Sequence, residues 1–294
     1  MRTTNILKSF AVLVSVAMIL SCTKENTSLP TTTAAATVNT SGICDYNMNS
    51  TPSGWTEVFS ENFDEPSLNT GDWNIWTGGA FNNELQHYQS SNITLSNGYL
   101  NITAKKEKVT GKVDPWSNRN KTFNYTSGRI ESKKLYSASP STPKVRMMAR
   151  IKLPSGYGMW PAFWSYGDPW PTQGEIDILE ARGQEPNTYY TNYFYGTQVN
   201  NNLVTNSTST INSASSLQTC FHVYEVIWDQ NALTFYLDGE QVDQKTGGYV
   251  PNLFGKQEKI VLNLAVGGNF FSRLITRNIV TGTMQVDWVK VLTQ

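Results

Sequence analysis

Apolar and polar residues alternate along most of the chain after Trp55. The alternation is clearest in five stretches, at residues 93–104, 145–153, 224–237, 260–266 and 284–292. A period of two residues is typical of strands that have one face on a core and the other on solvent. Turn-forming residues separate the stretches, and Asp238-Gly239 is the strongest hairpin signal. No three-to-four spacing persists over a dozen residues, so we expect an all-β sandwich or barrel without long helices.

The first 22 residues follow a different pattern. Arg2 and Lys8 precede an apolar run from Phe10 to Leu20, and Ser21-Cys22 follows it. As a helix this run would span about 16 Å, roughly half of a hydrocarbon core of ~30 Å, so it predicts an export signal rather than a membrane helix. The sequence Ile19-Leu20-Ser21-Cys22 resembles a bacterial lipobox, which implies a signal peptide at residues 1–21 and a lipid anchor on Cys22. An ordinary signal, cleaved near Cys22 without lipid, is the alternative.

Residues 22–53 are rich in Thr, Ser, Asn and Ala and have little to bury, which predicts a flexible tether before a folded domain at residues 54–294. We therefore expect a monomer in the bacterial cell envelope, at the outer membrane or cell surface, that contacts the membrane only through its lipid. Cys44 lies in the predicted tether and Cys220 in the domain. A disulfide between them and two free thiols are both compatible with the sequence.

Charge and aromatic content narrow the class of ligand. The chain has 23 Lys+Arg and 23 Asp+Glu, so it has no excess of basic residues to neutralise a phosphate backbone, which argues against nucleic acid as a partner. Nine Trp, 14 Tyr and 12 Phe offer flat apolar faces with polar edges. Trp160, Trp164 and Trp170 precede a cluster of acids, an arrangement suited to binding sugar rings. We expect one of these three to belong to the core.

The acids lie in the run Gly174-Glu-Ile-Asp-Ile-Leu-Glu180, where burying them in a core would be costly. Glu175 and Asp177 point to one face of a strand, and a β-bulge near Ile178-Leu179 would bring Glu180 to that face. Glu175 and Glu180 would then have Cα atoms roughly 13 Å apart and carboxyls about 5 Å apart, the spacing of a retaining glycosidase. Close acids share protons, so one carboxyl stays protonated near neutral pH. A solvated polar strand face is the alternative.

Motifs along nearly the whole of residues 55–294 resemble glycoside hydrolase family 16, and within it the laminarinase-like endo-β-1,3-glucanases. The matching segments are residues 55–63, 82–86, 125–130, 149–154, 160–164, 174–180, 221–228, 235–239, 262–269 and 286–291. The resemblance implies that residues 54–294 form a catalytic β-jelly-roll sandwich of two antiparallel sheets, with the substrate in a groove across the concave sheet.

The resemblance also implies a retaining double displacement. Glu175 matches the nucleophile, Glu180 the acid/base and Asp177 the residue that hydrogen-bonds the nucleophile. The positions that match substrate-binding residues are Trp160, Trp164, Asn83, Glu84, Arg129, Asn192 and Asn263. Two of these positions could instead have structural roles, because Arg129 could pair with Glu131 and Asn263 could satisfy strand backbone.

The implied substrate is a polysaccharide, either β-1,3-glucan or mixed β-1,3-1,4-glucan. Asn192 stands where many laminarinases carry a His, so the linkage preference stays open. A galactanase acting on agarose or carrageenan, a non-catalytic glucan-binding sandwich, and transglycosylation by the same mechanism are the alternatives. Catalysis needs no cofactor. A structural Ca²⁺ on the convex side is implied, with Asp287 as a ligand, although Asn62 replaces the more usual Glu.

Overall fold

The computed structural model describes residues 36–38, 44–48 and 50–294. The predicted signal peptide and Cys22 lie outside these residues. The strands are β1 Ala36–Val38, β2 Thr56–Glu61, β3 Trp73–Ile75, β4 Gln86–Tyr88, β5 Ile93–Ser96, β6 Tyr99–Thr103, β7 Val109–Lys112, β8 Asn120–Phe123, β9 Tyr125–Ser127, β10 Arg129–Ser132, β11 Val145–Lys152, β12 Met159–Tyr166, β13 Glu175–Ala181, β14 Thr188–Phe194, β15 Ser209–Ser213, β16 His222–Trp228, β17 Ala232–Leu237, β18 Glu240–Thr246, β19 Lys259–Val266 and β20 Thr283–Thr293.

Helices are few and short in the described part of the chain. The helix α1 is Val250–Leu253, and 3₁₀ segments occur at Ser90–Asn92 and Thr276–Asn278. Within these described ranges, no helix has the length and apolar character needed to cross a membrane.

Two eight-stranded sheets pack face to face. One, here called the groove sheet, has the order β1-β15-β14-β13-β12-β19-β10-β3; the other, the outer sheet, has the order β18-β17-β16-β11-β20-β6-β5, with β2 also paired to β20. Within these two sheets, hydrogen-bonded neighbours are antiparallel except that β1 runs parallel to β15. Large apolar side chains fill the space between the sheets, such as Phe163 and Ile176 from the groove sheet and Trp228 and Phe235 from the outer sheet. The predicted all-β sandwich is therefore confirmed.

The predicted hairpin at Asp238-Gly239 is also confirmed. These two residues connect β17 to β18 and have φ angles of 53° and 82°. A two-residue turn with both φ angles positive matches the twist of the flanking strands, and Asp-Gly adopts it readily.

A second apolar cluster lies on the solvent side of the outer sheet and is covered by the N-terminal segment. Its buried members are Met148, Val223, Trp288 and Leu292, with Tyr46, Met48 and Trp55 packed on them. Cys44 is disulfide-bonded to Cys220, which decides between the two alternatives for these thiols. Residues 44–48 thus contact the sandwich, although they precede the predicted domain boundary at residue 54, and that boundary stays a prediction.

Candidate active site

A β-bulge in β13 places three acids on one face. Opposite β12, Phe163 pairs with Leu179 and Trp164 pairs with Asp177, so Ile178 is the extra residue. The same irregularity appears opposite β14, between Asp177 and Glu180. Ile178 and Leu179 are both buried in the core. The predicted bulge is therefore confirmed, and it turns Glu180 to the face that carries Glu175 and Asp177.

Each outer acid accepts a hydrogen bond from a Trp indole. Trp160 Nε1 donates to Glu180 Oε1 at 2.9 Å, and Trp170 Nε1 donates to Glu175 Oε2. Asp177 is buried between them, with 2% of its surface exposed. These contacts fix the orientation of both outer carboxyls before any ligand binds.

Burial is the main cause of high pKa values in this cluster. It raises the pKa of Glu175 to about 8, together with the charge of Glu180. The pKa of Glu180 is raised well above its usual value by burial and then by the charge of Asp177. The pKa of Asp177 is also raised well above its usual value, by burial and then by the charge of Glu175. The cluster therefore retains protons at neutral pH.

Hydrogen bonding separates the roles of the two outer acids. Two hydrogen bonds, from Trp170 and from Asp177, lower the pKa of Glu175, whereas one, from Trp160, lowers the pKa of Glu180. The neighbouring charges of Asp177 and Glu84 add to burial in raising the pKa of Glu180. Negative charge is thus better supported on Glu175, and a proton is better retained on Glu180, which is the division of labour between a nucleophile and a general acid.

A groove of about 510 Å³ runs across the groove sheet beside these acids. Its lining includes Glu175 together with Glu84, Arg129, Trp160, Trp164 and Asn263, which the sequence predicts as substrate-binding residues. The groove is lined mainly by aromatic rings and amides, the surface expected for a sugar chain.

A chain of hydrogen bonds ties the floor of the groove together. Trp164 Nε1 donates to Asn263 Oδ1 at 2.7 Å, and Asn263 Nδ2 donates to the Tyr88 hydroxyl at 3.1 Å. The Tyr88 hydroxyl donates to Glu84 Oε2 at 3.2 Å. The Asn263 side chain therefore binds groove residues rather than strand backbone. Burial raises the pKa of Glu84, although the hydrogen bonds from Gln86 and Tyr88 and the charge of Arg129 lower it.

Arg129 pairs with Glu131 and also lies in the groove lining, and its role in substrate binding stays a prediction. It lines the groove, and it donates from Nε and Nη2 to Glu131 Oε1 at 2.9 and 2.6 Å. Its guanidinium also lies 4.1 Å from the ring centroid of Trp76 and 4.9 Å from that of Trp164. The ion pair and the stacked rings hold this cation rigidly at the edge of the groove.

Asn83 and Asn192 do not belong to the groove lining. Asn83 Nδ2 donates to Asn269 Oδ1 at 2.9 Å and so connects two loops beside the groove. Asn192 pairs across the sheet with Asp177 and accepts a hydrogen bond from Ser207. In this geometry both asparagines support neighbouring groups, and a role in direct substrate binding stays a prediction.

Of the three Trp residues, one of which we expect in the core, Trp160 is buried with 9% of its surface exposed, yet it also borders the groove. All three line the groove. The core positions of β12 are taken by Met159 and Phe163, which alternate with the two strand Trp residues. Trp160 is nevertheless largely covered, because its ring stacks on Phe270 with centroids 4.8 Å apart.

Several groove residues are absent from the set predicted from the sequence. Phe81 and Trp116 lie at one end, and Phe194 and Asn200 lie near Glu175. Trp170 stands in the sequence just before the acids, but only the structure shows that it binds Glu175. The other four carry no sequence signal, since their positions depend on loop geometry.

Asp287, the predicted calcium ligand, is an ion-pair partner in the structure. Its Oδ2 accepts a hydrogen bond from Arg150 Nη1 at 2.6 Å. The described residues contain no group of three or more His, Cys, Asp and Glu side chains that could hold a metal. A carboxylate neutralised by a guanidinium does not fit the oxygen-rich ligand set that Ca²⁺ requires, so this arrangement does not support the predicted calcium site.

Comparisons with known proteins agree with this geometry. A sequence model described as glycosyl hydrolases family 16 matches residues 75–290. Glucan endo-1,3-beta-glucosidase A1 of Niallia circulans is 32% identical over 266 residues, which cover 81% of this chain. The chain spans only 38% of the length of that relative.

Two solved structures are similar over nearly their full lengths. The endo-β-1,3-glucanase from Pyrococcus furiosus has a TM-score of 0.69 and 30% identity, covering 81% of this chain and 94% of that one. The endo-1,3-β-glucanase from Streptomyces sioyaensis has a TM-score of 0.70 and 30% identity, covering 84% of this chain and 99% of that one. This agreement confirms the predicted jelly-roll sandwich.

Proposed function

Since the chain belongs to glycosyl hydrolases family 16, we propose that it is a retaining endo-glycoside hydrolase that cleaves β-1,3-glucan of the laminarin type. The observation that carries the proposal is the common face of Glu175, Asp177 and Glu180 beside a groove lined by Trp rings. The similarity to endo-1,3-β-glucanases supports this choice of polymer. Mixed β-1,3-1,4-glucan is the nearest variant of the substrate.

The reaction proceeds in two displacements at one anomeric carbon. A Glu175 carboxylate oxygen attacks this carbon and forms a glycosyl ester, while Glu180 donates its proton to the departing glycosidic oxygen. Glu180, now a carboxylate, removes a proton from a water molecule, which attacks the same carbon and releases Glu175. Two inversions leave the configuration unchanged. Glu180 regains from water the proton that it gave to the glycosidic oxygen, so the cycle needs no catalytic cofactor.

Asp177 acts on Glu175 rather than on the sugar. Its hydrogen bond to Glu175 lowers the pKa of the nucleophile, which favours the anion that attacks. The Trp170 indole supports the same anion from the other side of the carboxyl. Trp160 holds the Glu180 carboxyl in a fixed orientation. The site therefore needs little reorganisation when the transition state forms.

The test is hydrolysis of laminarin by the purified chain, measured as new reducing ends. We expect cleavage by the wild type, loss of cleavage in Glu175→Gln with glucan binding retained, and normal cleavage in Glu240→Gln, which removes an exposed carboxyl from β18. The first product should keep the β configuration in a proton NMR time course. Cleavage of another polymer but not laminarin would refute the substrate, and unchanged hydrolysis by Glu175→Gln would refute the role of Glu175.

We further propose that Cys22 carries a lipid that anchors the domain to the bacterial envelope. The lipobox-like sequence before Cys22 supports the anchor, and the Cys44–Cys220 disulfide supports a location outside the cytoplasm, because disulfides persist in oxidising compartments. Cell fractionation of the wild type and of Cys22→Ala tests the anchor. We expect the wild type in the membrane fraction and the variant outside it; equal distribution of the two would contradict the proposal.

A further inference from the structure

Two exposed aromatic side chains form a stacked pair at one end of the groove. Trp116 is 68% exposed and Phe81 is 55% exposed. Their rings lie nearly parallel, with centroids 6.3 Å apart and 25° between the planes. Both residues line the same groove as Glu175. An exposed aromatic surface that continues a binding groove indicates that a ligand covers it.

The backbone at Trp116 is held in place by its own turn. It lies in the loop between β7 and β8, where the Asp114 carboxylate accepts hydrogen bonds from the backbone N–H groups of Trp116 and Ser117 at 3.0 and 2.7 Å. The backbone N–H of Gly79 donates to the carbonyl of Lys112 at 2.9 Å and so fixes this hairpin beside the groove. Binding to a ring on such a preorganised backbone costs little conformational entropy.

The buried residue Trp76 packs against the rings of both Trp116 and Phe81. The ring of Trp76 meets Trp116 edge-on, with centroids 5.1 Å apart, and meets Phe81 with centroids 6.3 Å apart. Trp76 Nε1 donates to the carbonyl of Gly79 at 3.0 Å. The rings of Phe81 and Trp116 therefore rest on a buried Trp, and their remaining faces point toward solvent.

The surface lies well away from the acids. Trp76 directly follows β3, which is four strands from β13 in the order β13-β12-β19-β10-β3. With strands ~4.8 Å apart, this separation is roughly 19 Å, too far for the sugar ring at Glu175 to reach. Any ring that contacts Trp116 must belong to a longer chain lying along the groove.

We propose that Trp116 and Phe81 form a distal subsite that stacks on a pyranose ring of the same polysaccharide chain that is cleaved at Glu175. The inference rests on the proposed function. The apolar faces of the two rings match the apolar face of a sugar ring, and the Asn82 amide in the same lining can hydrogen-bond its hydroxyl edge. Continuity with the groove identifies the occupant as the substrate chain.

The test compares long and short substrates. On laminarin polymer, Trp116→Ala should raise KM about two- to twelvefold, the effect of losing ~0.5–1.5 kcal/mol of aromatic contact, while kcat stays the same. On laminaritriose, whose rings do not extend from Glu175 to Trp116, the variant should match the wild type. Trp116→Phe, which keeps an aromatic face, should restore most of the loss. Tyr249→Ala is the control, because Tyr249 is an exposed aromatic residue that is absent from the groove lining.

The outcomes separate the subsite from the chemistry. Equal KM values for wild type and Trp116→Ala on polymer, or equal losses on polymer and triose, would overturn the subsite and leave the proposed function intact. Laminarin affinity is also measured in Glu175→Gln with and without Trp116→Ala. If the wild type cuts no laminarin but binding weakens with loss of Trp116, the proposed function fails and the subsite stands. If laminarin is neither bound nor cut, both fail.

Discussion

The proton balance between Asp177 and Glu180 can be measured by replacing Asp177 with Asn. The charge of Asp177 is, after burial, the largest cause of the raised pKa of Glu180. The hydrogen bond from Asp177 lowers the pKa of Glu175. The charge effect belongs to ionised Asp177 and the donated hydrogen bond to protonated Asp177. Asn cannot ionise, and its N–H group keeps only the donor function. The pKa of Glu180 should therefore fall, while that of Glu175 changes little.

The size of the change follows from the strand geometry. With the bulge counted, Asp177 and Glu180 occupy positions two residues apart, which places their charges ~7 Å from each other. At an effective dielectric constant of about 20, two charges at that distance interact by ~2.4 kcal/mol. Loss of this repulsion lowers the pKa of Glu180, so the alkaline limb of the rate profile, where Glu180 loses its proton, should move to lower pH.

The assay is kcat/KM for laminarin hydrolysis as a function of pH. The acid limb reports deprotonation of Glu175 and should stay in place, so the profile becomes narrower rather than shifting as a whole. Glu240→Gln controls for the loss of a surface carboxyl and should leave both limbs unchanged. An alkaline limb that stays fixed or moves to higher pH in Asp177→Asn would refute the assigned coupling. An equal movement of both limbs would refute the separate roles of the two glutamates.

Three further changes test other parts of the fold and site. Gly174 has φ = +91°, and an added Cβ would lie 2.6 Å from Glu258 Oε1, whereas Gly255 has φ = +83° and open space around it. Gly174→Ala should therefore lower the free energy of unfolding in urea by about 1–3 kcal/mol more than Gly255→Ala. Equal losses in the two variants would contradict this. Since the charge of Glu258 raises the pKa of Glu175, Glu258→Gln should move the acid limb to lower pH, and an unmoved limb would contradict it. Cys44→Ser should lower the free energy of unfolding by about 2–4 kcal/mol without changing kcat, and reductant should have the same effect on the wild type but none on the variant.

The sequence was sufficient to predict the strands and the bulge because both depend on local chemistry. Alternation over residues 145–153 predicts β11, and Asp238-Gly239 predicts the turn after β17. The bulge is predictable because leaving Glu180 on the core face would bury a carboxyl among aliphatic side chains. Inserting one residue at Ile178 removes that cost, so the pattern of acids determines the backbone irregularity.

The lining of the groove was predicted less completely because strand parity does not say which face is the core. Trp160 and Trp164 share a face of β12, and the sequence alone allows that face to be covered or open. The choice depends on Phe163, which packs against the opposite sheet and leaves the Trp face to the groove. The position of Trp116 is harder still to predict from the sequence, because Trp116 lies in a hairpin loop that is held by the hydrogen bond from Gly79 to Lys112.

The Cys44–Cys220 disulfide joins two residues that are 176 positions apart in the sequence. Spacing cannot decide such a pair, but Met148 offers a clue. The structure shows this apolar residue buried on the solvent side of the outer sheet. An apolar residue there needs a cover, which Tyr46 and Met48 provide. The same short segment carries Cys44, so covering Met148 also brings the thiol of Cys44 to Cys220, and burial of one apolar strand residue is coupled to formation of the disulfide.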